Sequence, residues 1–143
     1  MSRGEAEDES GPALAELCRA AGLDVVTEVI GDDRDAIATE LKRLADHEDL
    51  RFIFTTGGTG MTADDVTPEA TNDVIDREAP GYAETIRAEA RGHTPLGILT
   101  RGVSGIRGRT LIVNFPGSPR AVRQSWPVVE PTLEHARDTL ERS

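Results

Sequence analysis

The run Phe52-Ile53-Phe54 lies within Leu50 to Thr55 and leads directly into Thr55-Thr56-Gly57-Gly58-Thr59-Gly60; no other stretch constrains the fold as much. Three consecutive large apolar side chains leave a strand no polar face to turn toward water, so both faces must be covered. Helical patterns on either side supply that cover. The run therefore predicts a central strand of a parallel sheet, and in such sheets ligands bind beyond the carboxyl ends of the strands. The glycine-rich loop departs from that end.

The rest of the 143 residues reads as one alternating α/β unit, a single domain over 1–143 with no internal repeat or linker. The first ten residues are polar and acidic and read as a loop or a frayed end. Ser10-Gly11-Pro12 reads as a helix start with Ser10 as N-cap, followed by Leu14, Leu17, Cys18 and Ala21 at helical spacing and closed by Gly22. Leu23 to Ile30 is β-branched and predicts a strand. Asp33 is suited to cap a helix from Arg34 to His47 with Ile37, Leu41 and Leu44 inward. Asp65-Val66-Thr67-Pro68-Glu69 reads as the entry to a helix that runs to about Asp76, and Pro80 opens another that runs to about Arg91. Leu96 to Thr100 and Arg109 to Phe115 predict strands around a turn region, Gly102 to Gly108. Pro116-Gly117-Ser118-Pro119 forms a second tight loop, and Trp126 to Leu140 a terminal helix offset at Pro127 and Pro131. A doubly wound fold ordinarily opens on a strand, yet Met1 leads into a loop and a helix. Either the sheet begins with Leu23 to Ile30, or a first strand is missing through a truncated or mis-assigned start.

Charge excludes one class of function. With 26 acidic against 16 basic residues, the net charge of −10 argues against nucleic-acid binding, which needs clustered Lys and Arg. The aromatic residues Phe52, Phe54, Phe115, Tyr82 and Trp126 are scattered along the chain and offer no stacking set. Lys42 is the only lysine, and an acidic, lysine-poor surface fits either adaptation to high salt or ordinary solubility through excess negative charge. No apolar stretch approaches the roughly 18 residues that cross a bilayer. Cys18 stands alone, so no internal disulfide forms, and a cytoplasmic protein is expected.

Three loops should converge on the ligand edge. Gly57, Gly58 and Gly60 permit positive φ and close backbone approach, while Thr55, Thr56 and Thr59 add hydroxyl donors. Bare amides at a strand end form a nest for an anion such as phosphate. The loop is neither a P-loop nor a dinucleotide fingerprint. A carboxylate beside a phosphate nest is unfavourable without a cation. Asp65 therefore points to Mg²⁺, and Asp32, after the preceding strand, could supply a second carboxylate. Capping a helix is an equally open role for each: Asp33 competes with Asp32, and Asp65 precedes the helix start at Val66-Thr67-Pro68. Gly117 and Ser118 could donate to a second anion. His47, His93 and His135 have no metal-ligand spacing and read as surface residues, and Cys18 as core.

The stretch Thr55-Thr56-Gly57-Gly58-Thr59-Gly60-Met61-Thr62-Ala63-Asp64-Asp65-Val66-Thr67-Pro68-Glu69-Ala70 resembles the MogA/MoaB family of molybdenum cofactor biosynthesis proteins. The resemblance continues through Asp76-Arg77-Glu78-Ala79-Pro80-Gly81, Gly105-Ile106-Arg107-Gly108 and Asn114-Phe115-Pro116-Gly117-Ser118-Pro119. Asp8-Glu9-Ser10-Gly11-Pro12 resembles the family's first-helix start, Thr100-Arg101 stands for its usual Ser-Arg, and Phe115 for an aliphatic residue. The resemblance implies a three-layer α/β/α sandwich about a mostly parallel sheet, assembled as a trimer or hexamer. It implies adenylylation of the terminal phosphate of molybdopterin by MgATP, with release of pyrophosphate and delivery of the product to a molybdate-inserting enzyme. By motif, Asp32 and Asp65 are implied as catalytic and Mg²⁺-binding residues. Thr56, Gly57, Gly58, Thr59 and Gly60 are implied for one phosphate site, and Gly117 and Ser118 for the second anion loop. The family ordinarily opens with an apolar strand ending in Ser-Asp, which this sequence lacks; the resemblance thus favours a missing first strand over a sheet that begins with Leu23 to Ile30. The alternative activity is that of a non-catalytic, MoaB-type molybdopterin carrier or assembly subunit. A nucleotide-recognition domain of the competence-damage type is a third reading, ordinarily found in longer chains.

Overall fold

The strand β4 (Thr110–Phe115) is buried along its whole length, and its alternating side chains divide the interior in two. The computed structural model describes the backbone of residues 3–143 and the side chains from residue 9 onward. Leu111, Val113 and Phe115 face one core, where they meet Leu14 and Cys18 of α1 (Arg3–Ala20), Ile86 of α4 (Gly81–His93), and Val122 and Trp126 of α5 (Pro119–Val129). Leu133 and Leu140 of the terminal helix α6 (Leu133–Glu141) complete this core. Ile112 faces the other, with Ile53 of β1 (Phe52–Thr56), Ile37 and Leu41 of α2 (Arg34–Asp46), and Ala70 and Val74 of α3 (Thr67–Val74). Each such side chain, fully buried, contributes about 1.5–3 kcal/mol. The result is three layers, as expected for a strand with no polar face.

The aromatic residues scattered in sequence converge here. Phe54 lies edge-on to Phe115 and Trp126, with ring centroids 5.5 and 6.1 Å away, and Phe52 stacks on Phe54 at 5.7 Å. They form part of the core on one face of the sheet and are not a stacking platform for bases.

Among the described residues the sheet has four strands in the order β1-β4-β3-β2, with β2 spanning Arg77–Glu78 and β3 Ser104–Arg107. It is mixed, not mostly parallel. Only β1 and β4 run parallel, whereas β3 is antiparallel to both β4 and β2. The cause is the two-residue turn Gly108-Arg109, opened by Gly108 at φ +58°: so short a connection can only reverse the chain. The expected turn region Gly102 to Gly108 thus contains β3. Gly105 carried no strand signal because the Ile75 side chain occupies the space where its Cβ would project.

Three further expectations are corrected. The polar start is helical from Arg3, and Ser10 is fully buried inside α1 rather than capping it; Ala and Glu propagate a helix well, and polarity alone does not make a loop. Met1 and Ser2, also placed in that loop, lie outside the described residues. Leu23 to Ile30 forms no strand: Leu23 and Val25 pack partly on the core, while Val26 and Val29 are 81% and 93% exposed. β-Branched residues favour a strand only where a neighbouring strand supplies the ladder. Leu96 to Thr100 is a 3₁₀ turn (Pro95–Leu99) capped by the Thr94 hydroxyl, with Gly97 seated against the backbone of α4. A short apolar run does not distinguish strand from helix by periodicity.

At its other end α1 closes as expected, on Gly22 at φ +86° with Leu23 N–H donating to Cys18 O at 3.0 Å. On the outer edge of β1 no strand is paired among the described residues. No helix among them is long and apolar enough to cross a membrane.

Candidate functional site

Because β1 and β4 are parallel neighbours, in register from Phe52 opposite Leu111 to Thr56 opposite Phe115, their carboxyl ends lie side by side. Two loops leave that edge together, 57–66 after β1 and 116–118 after β4. Gly57 N–H ties them by donating to Phe115 O at 3.1 Å. A cavity of about 420 Å³ opens between them, floored by Gly57, Gly58, Thr59 and Gly60, flanked by Asp65 and Gly117, and rimmed by Met61, Leu99 and Pro116.

The loop needs its glycines at specific places. Gly57 and Gly58 are both left-handed, at φ +83° and +69°, a conformation that costs any residue with a Cβ about 1–2 kcal/mol. Gly60 serves differently: a Cβ there would meet Asp65 Oδ2 at 2.7 Å. Among the described residues, the backbone N–H groups of Thr59, Gly60 and Met61 make no hydrogen bond to protein. Thr59 is buried, Gly60 is half-buried and Met61 is exposed at the rim, so three successive amides without protein partners line one cavity, a pattern suited to an anion.

Asp65 is 6% exposed, and its Oδ2 accepts from both the N–H and the hydroxyl of Thr62, at 3.0 and 2.9 Å. Helix α3 follows with Val66 at its N-cap and no side-chain cap, so Asp65 folds the loop rather than capping the helix. The competition before α2 is settled as well: Asp33 is the N-cap, accepting from Ala36 N–H at 2.9 Å. Asp32 is exposed in the preceding turn and does not line the cavity. Arg34, at the start of the same helix, is fixed to Asp73 of α3 by two hydrogen bonds of 2.7 Å.

The remaining sequence-derived candidates separate. Gly57 to Gly60, Asp65 and Gly117 share the cavity, whereas Thr56 and Ser118 do not line it. Ser118 is the N-cap of α5, its Oγ accepting from Ala121 N–H at 3.1 Å. Among the described residues no group of three or more His, Cys, Asp or Glu is placed to hold a metal ion. His47, His93 and His135 are exposed, and Cys18 is buried, its thiol pushed up to about 11 by desolvation against the lesser, opposing charge of Arg19.

Two groups that organise the site carried little sequence signal. Arg101, noted only as part of Thr100-Arg101, donates Nε to Gly60 O and Nη2 to Asp65 O, both at 2.7 Å, and Nη1 to Glu69 Oε2 at 2.7 Å. That hydrogen bond is the largest cause holding the Glu69 carboxyl below its ordinary range. Asn114, 2% exposed, donates to Thr55 Oγ1 at 2.9 Å and Thr71 Oγ1 at 3.1 Å and accepts from Val103 N–H at 3.0 Å. It joins β1, α3 and the segment before β3 directly beneath the loops. A polar residue inside an apolar strand was its signal.

Comparison with known proteins agrees with this geometry. A family model described as a probable molybdopterin binding domain matches residues 1–135. The molybdenum cofactor synthesis protein cinnamon of Drosophila melanogaster is 41% identical over 91% of the chain, which spans 22% of that longer protein. A molybdopterin adenylyltransferase of Helicobacter pylori is 35% identical over 97% of the chain and 81% of its own length. Among solved structures, the molybdopterin biosynthesis enzyme MoaB of Thermus thermophilus superposes with a TM-score of 0.88 at 42% identity, covering 99% of this chain and 89% of that one.

Proposed function

The chain belongs to the MogA/MoaB family of molybdopterin-binding proteins, and on that premise we propose that it is a molybdopterin adenylyltransferase of molybdenum cofactor biosynthesis. A terminal phosphate oxygen of molybdopterin attacks the α-phosphorus of ATP, the bond to the β-phosphate oxygen breaks, and adenylylated molybdopterin and pyrophosphate leave. The observation that carries this reading is the row of unpartnered amides at Thr59, Gly60 and Met61, residues that line the same cavity as Asp65. Nucleotidyl transfer needs positioning and charge neutralisation rather than a protein nucleophile, and fixed backbone donors supply both.

Thr59 and Gly60 bind a phosphate through their amides, and Gly117 lies across the cavity beside a second anion. In this reading Thr56 and Ser118 support the two loops from the strand end and the α5 cap. A single carboxylate beside a phosphate nest fits Mg²⁺, which takes one or two carboxylates and fills its shell with water and substrate oxygens. Asp65 would hold it, joined by Asp32 on movement of the exposed turn before α2, and the bound ion would offset charge on the reacting phosphates.

The exposed apolar side chains Leu96, Ile98, Leu99 and Met61 support assembly into a homo-oligomer, a trimer or a hexamer. Cytoplasmic location and delivery of the product to a molybdate-inserting enzyme complete the proposal. Incubation of the protein with molybdopterin and MgATP should yield adenylylated molybdopterin and pyrophosphate, and Asp65→Asn should lower turnover by on the order of 10²–10³ while retaining pterin binding. Tight pterin binding without ATP consumption would overturn the activity in favour of a carrier. Normal turnover by Asp65→Asn would refute the mechanism.

A further inference from the structure

The anion nest is set by its peptide planes. A peptide unit is planar and trans, so the C=O of one residue and the N–H of the next point in opposite directions. Fixing a carbonyl therefore fixes the direction of the following amide. Thr59 O accepts from Arg101 N–H at 2.7 Å, which aims Gly60 N–H away from Arg101. Gly60 O accepts from Arg101 Nε at 2.7 Å, which aims Met61 N–H away likewise. Gly58 O accepts from Thr67 N–H at 3.2 Å and so fixes Thr59 N–H from the α3 side. Two of the three unpartnered amides are thus oriented by one residue.

We propose that Arg101 is the positioning residue of the phosphate site: it holds the peptide planes of the glycine loop so that its amides, and not its carbonyls, face the anion. This rests on the adenylyltransferase reading for the identity of the anion, but not for the geometry. Glycine at position 60 makes the restraint necessary, because a peptide flanked by glycine flips easily and a flipped Gly60-Met61 unit would present a carbonyl to the phosphate. Arg101 also takes Asp65 O through Nη2, which fixes the far end of the loop that carries the carboxylate. Its guanidinium is itself held in plane by Glu69 of α3. The backbone on either side is anchored from α4, where Arg87 donates Nε to Thr100 O at 3.0 Å and Nη2 to Gly102 O at 2.8 Å. With Nε, Nη1 and Nη2 all engaged by protein oxygens, Arg101 acts through the loop rather than as a phosphate ligand.

Lysine keeps the charge at this position but not the planar fork, so it separates positioning from simple electrostatics. The variants are Arg101→Lys, Arg101→Ala and Glu69→Gln, each with thermal unfolding as the check on folding. The readouts are affinity for inorganic pyrophosphate, amide hydrogen exchange across residues 57–65, and kcat and KM with molybdopterin and MgATP. In Arg101→Lys we expect pyrophosphate affinity to fall and KM to rise, each by ten- to a hundredfold on the order expected for a misplaced binding group, with faster exchange in the loop. Methylguanidinium should restore affinity to Arg101→Ala where ammonium does not, and Glu69→Gln should show the same pattern at smaller amplitude. Wild-type pyrophosphate affinity and loop exchange in Arg101→Lys would overturn the proposal. So would equal rescue by ammonium. Should Arg101→Ala fail to fold, the lysine and Glu69→Gln variants still decide. Absence of adenylylated product from the wild type would instead sink the adenylyltransferase reading, leaving the pyrophosphate and exchange measurements to judge Arg101.

Discussion

Thr62 donates both its backbone N–H and its hydroxyl to a single carboxylate oxygen of Asp65, at 3.0 and 2.9 Å, while Asp65 N–H returns a bond to Thr62 O at 3.1 Å. This closed turn keeps an acidic side chain beside the glycine loop, in the same cavity. Asn at position 65 can still accept from Thr62, so Asp65→Asn should leave thermal stability nearly unchanged and lower kcat by on the order of 10²–10³. Thr62→Val keeps the backbone donor and loses the hydroxyl, so its kcat should fall less, by about tenfold. Steady-state kinetics on both variants checks the order of the two losses.

Asn114 is a buried polar hub, and its removal acts on stability before it acts on chemistry. Asn114→Ala strands the Val103 N–H, deprives Thr55 and Thr71 of a donor and opens a cavity. Such a change should cost about 2–4 kcal/mol. Urea denaturation measures it, and a cost below that of an ordinary surface substitution would contradict the hub.

Arg107 grips Asp46 with Nε and Nη2 at 3.0 and 2.9 Å and gives Nη1 to Val74 O at 2.8 Å, linking β3 to α2 and α3. That guanidinium holds the Asp46 carboxyl below its ordinary value of 3.8. A carboxyl lowered on folding stabilises fully above its unfolded value and loses that contribution as pH falls through the folded one. The stability difference between wild type and Arg107→Gln should therefore be largest near neutrality and shrink below pH 3.8. Denaturation at a series of pH values tests the sign.

Cys18 packs in the core with its thiol pushed up to about 11, so the thiolate is scarce at neutral pH and the sulfur is covered. In the folded protein at mildly alkaline pH it should resist an aromatic disulfide reagent, and it should react promptly once urea unfolds the chain. Rapid modification of the native protein would place it outside the core.

Much of the site was visible before the fold. The apolar run at Phe52 to Phe54, the glycines after it and Asp65 at a short distance are local signals, because backbone conformation and strand burial are imposed on neighbouring residues. Arg101 was present in the sequence but had no visible task. Its partners Gly60, Asp65 and Glu69 lie 32 to 41 positions away, and no local pattern encodes such a contact.

By itself, the sequence determined that β1 would be covered on both faces and would release a glycine-rich loop at its carboxyl end. Its glycines and its hydrophobic pattern act over a few residues. Tertiary structure alone decided the mixed sheet, in which the Gly108-Arg109 reversal turns β3 against β4. It also decided that Leu23 to Ile30 stays out of the ladder, because strand propensity is realised only against a partner. Which of Asp32 and Asp33 caps α2, and which distant arginine binds the Gly60 carbonyl, were likewise settled there. The reason is common to all of these: a hydrogen bond between remote segments depends on where both ends arrive, and only the packed chain fixes that.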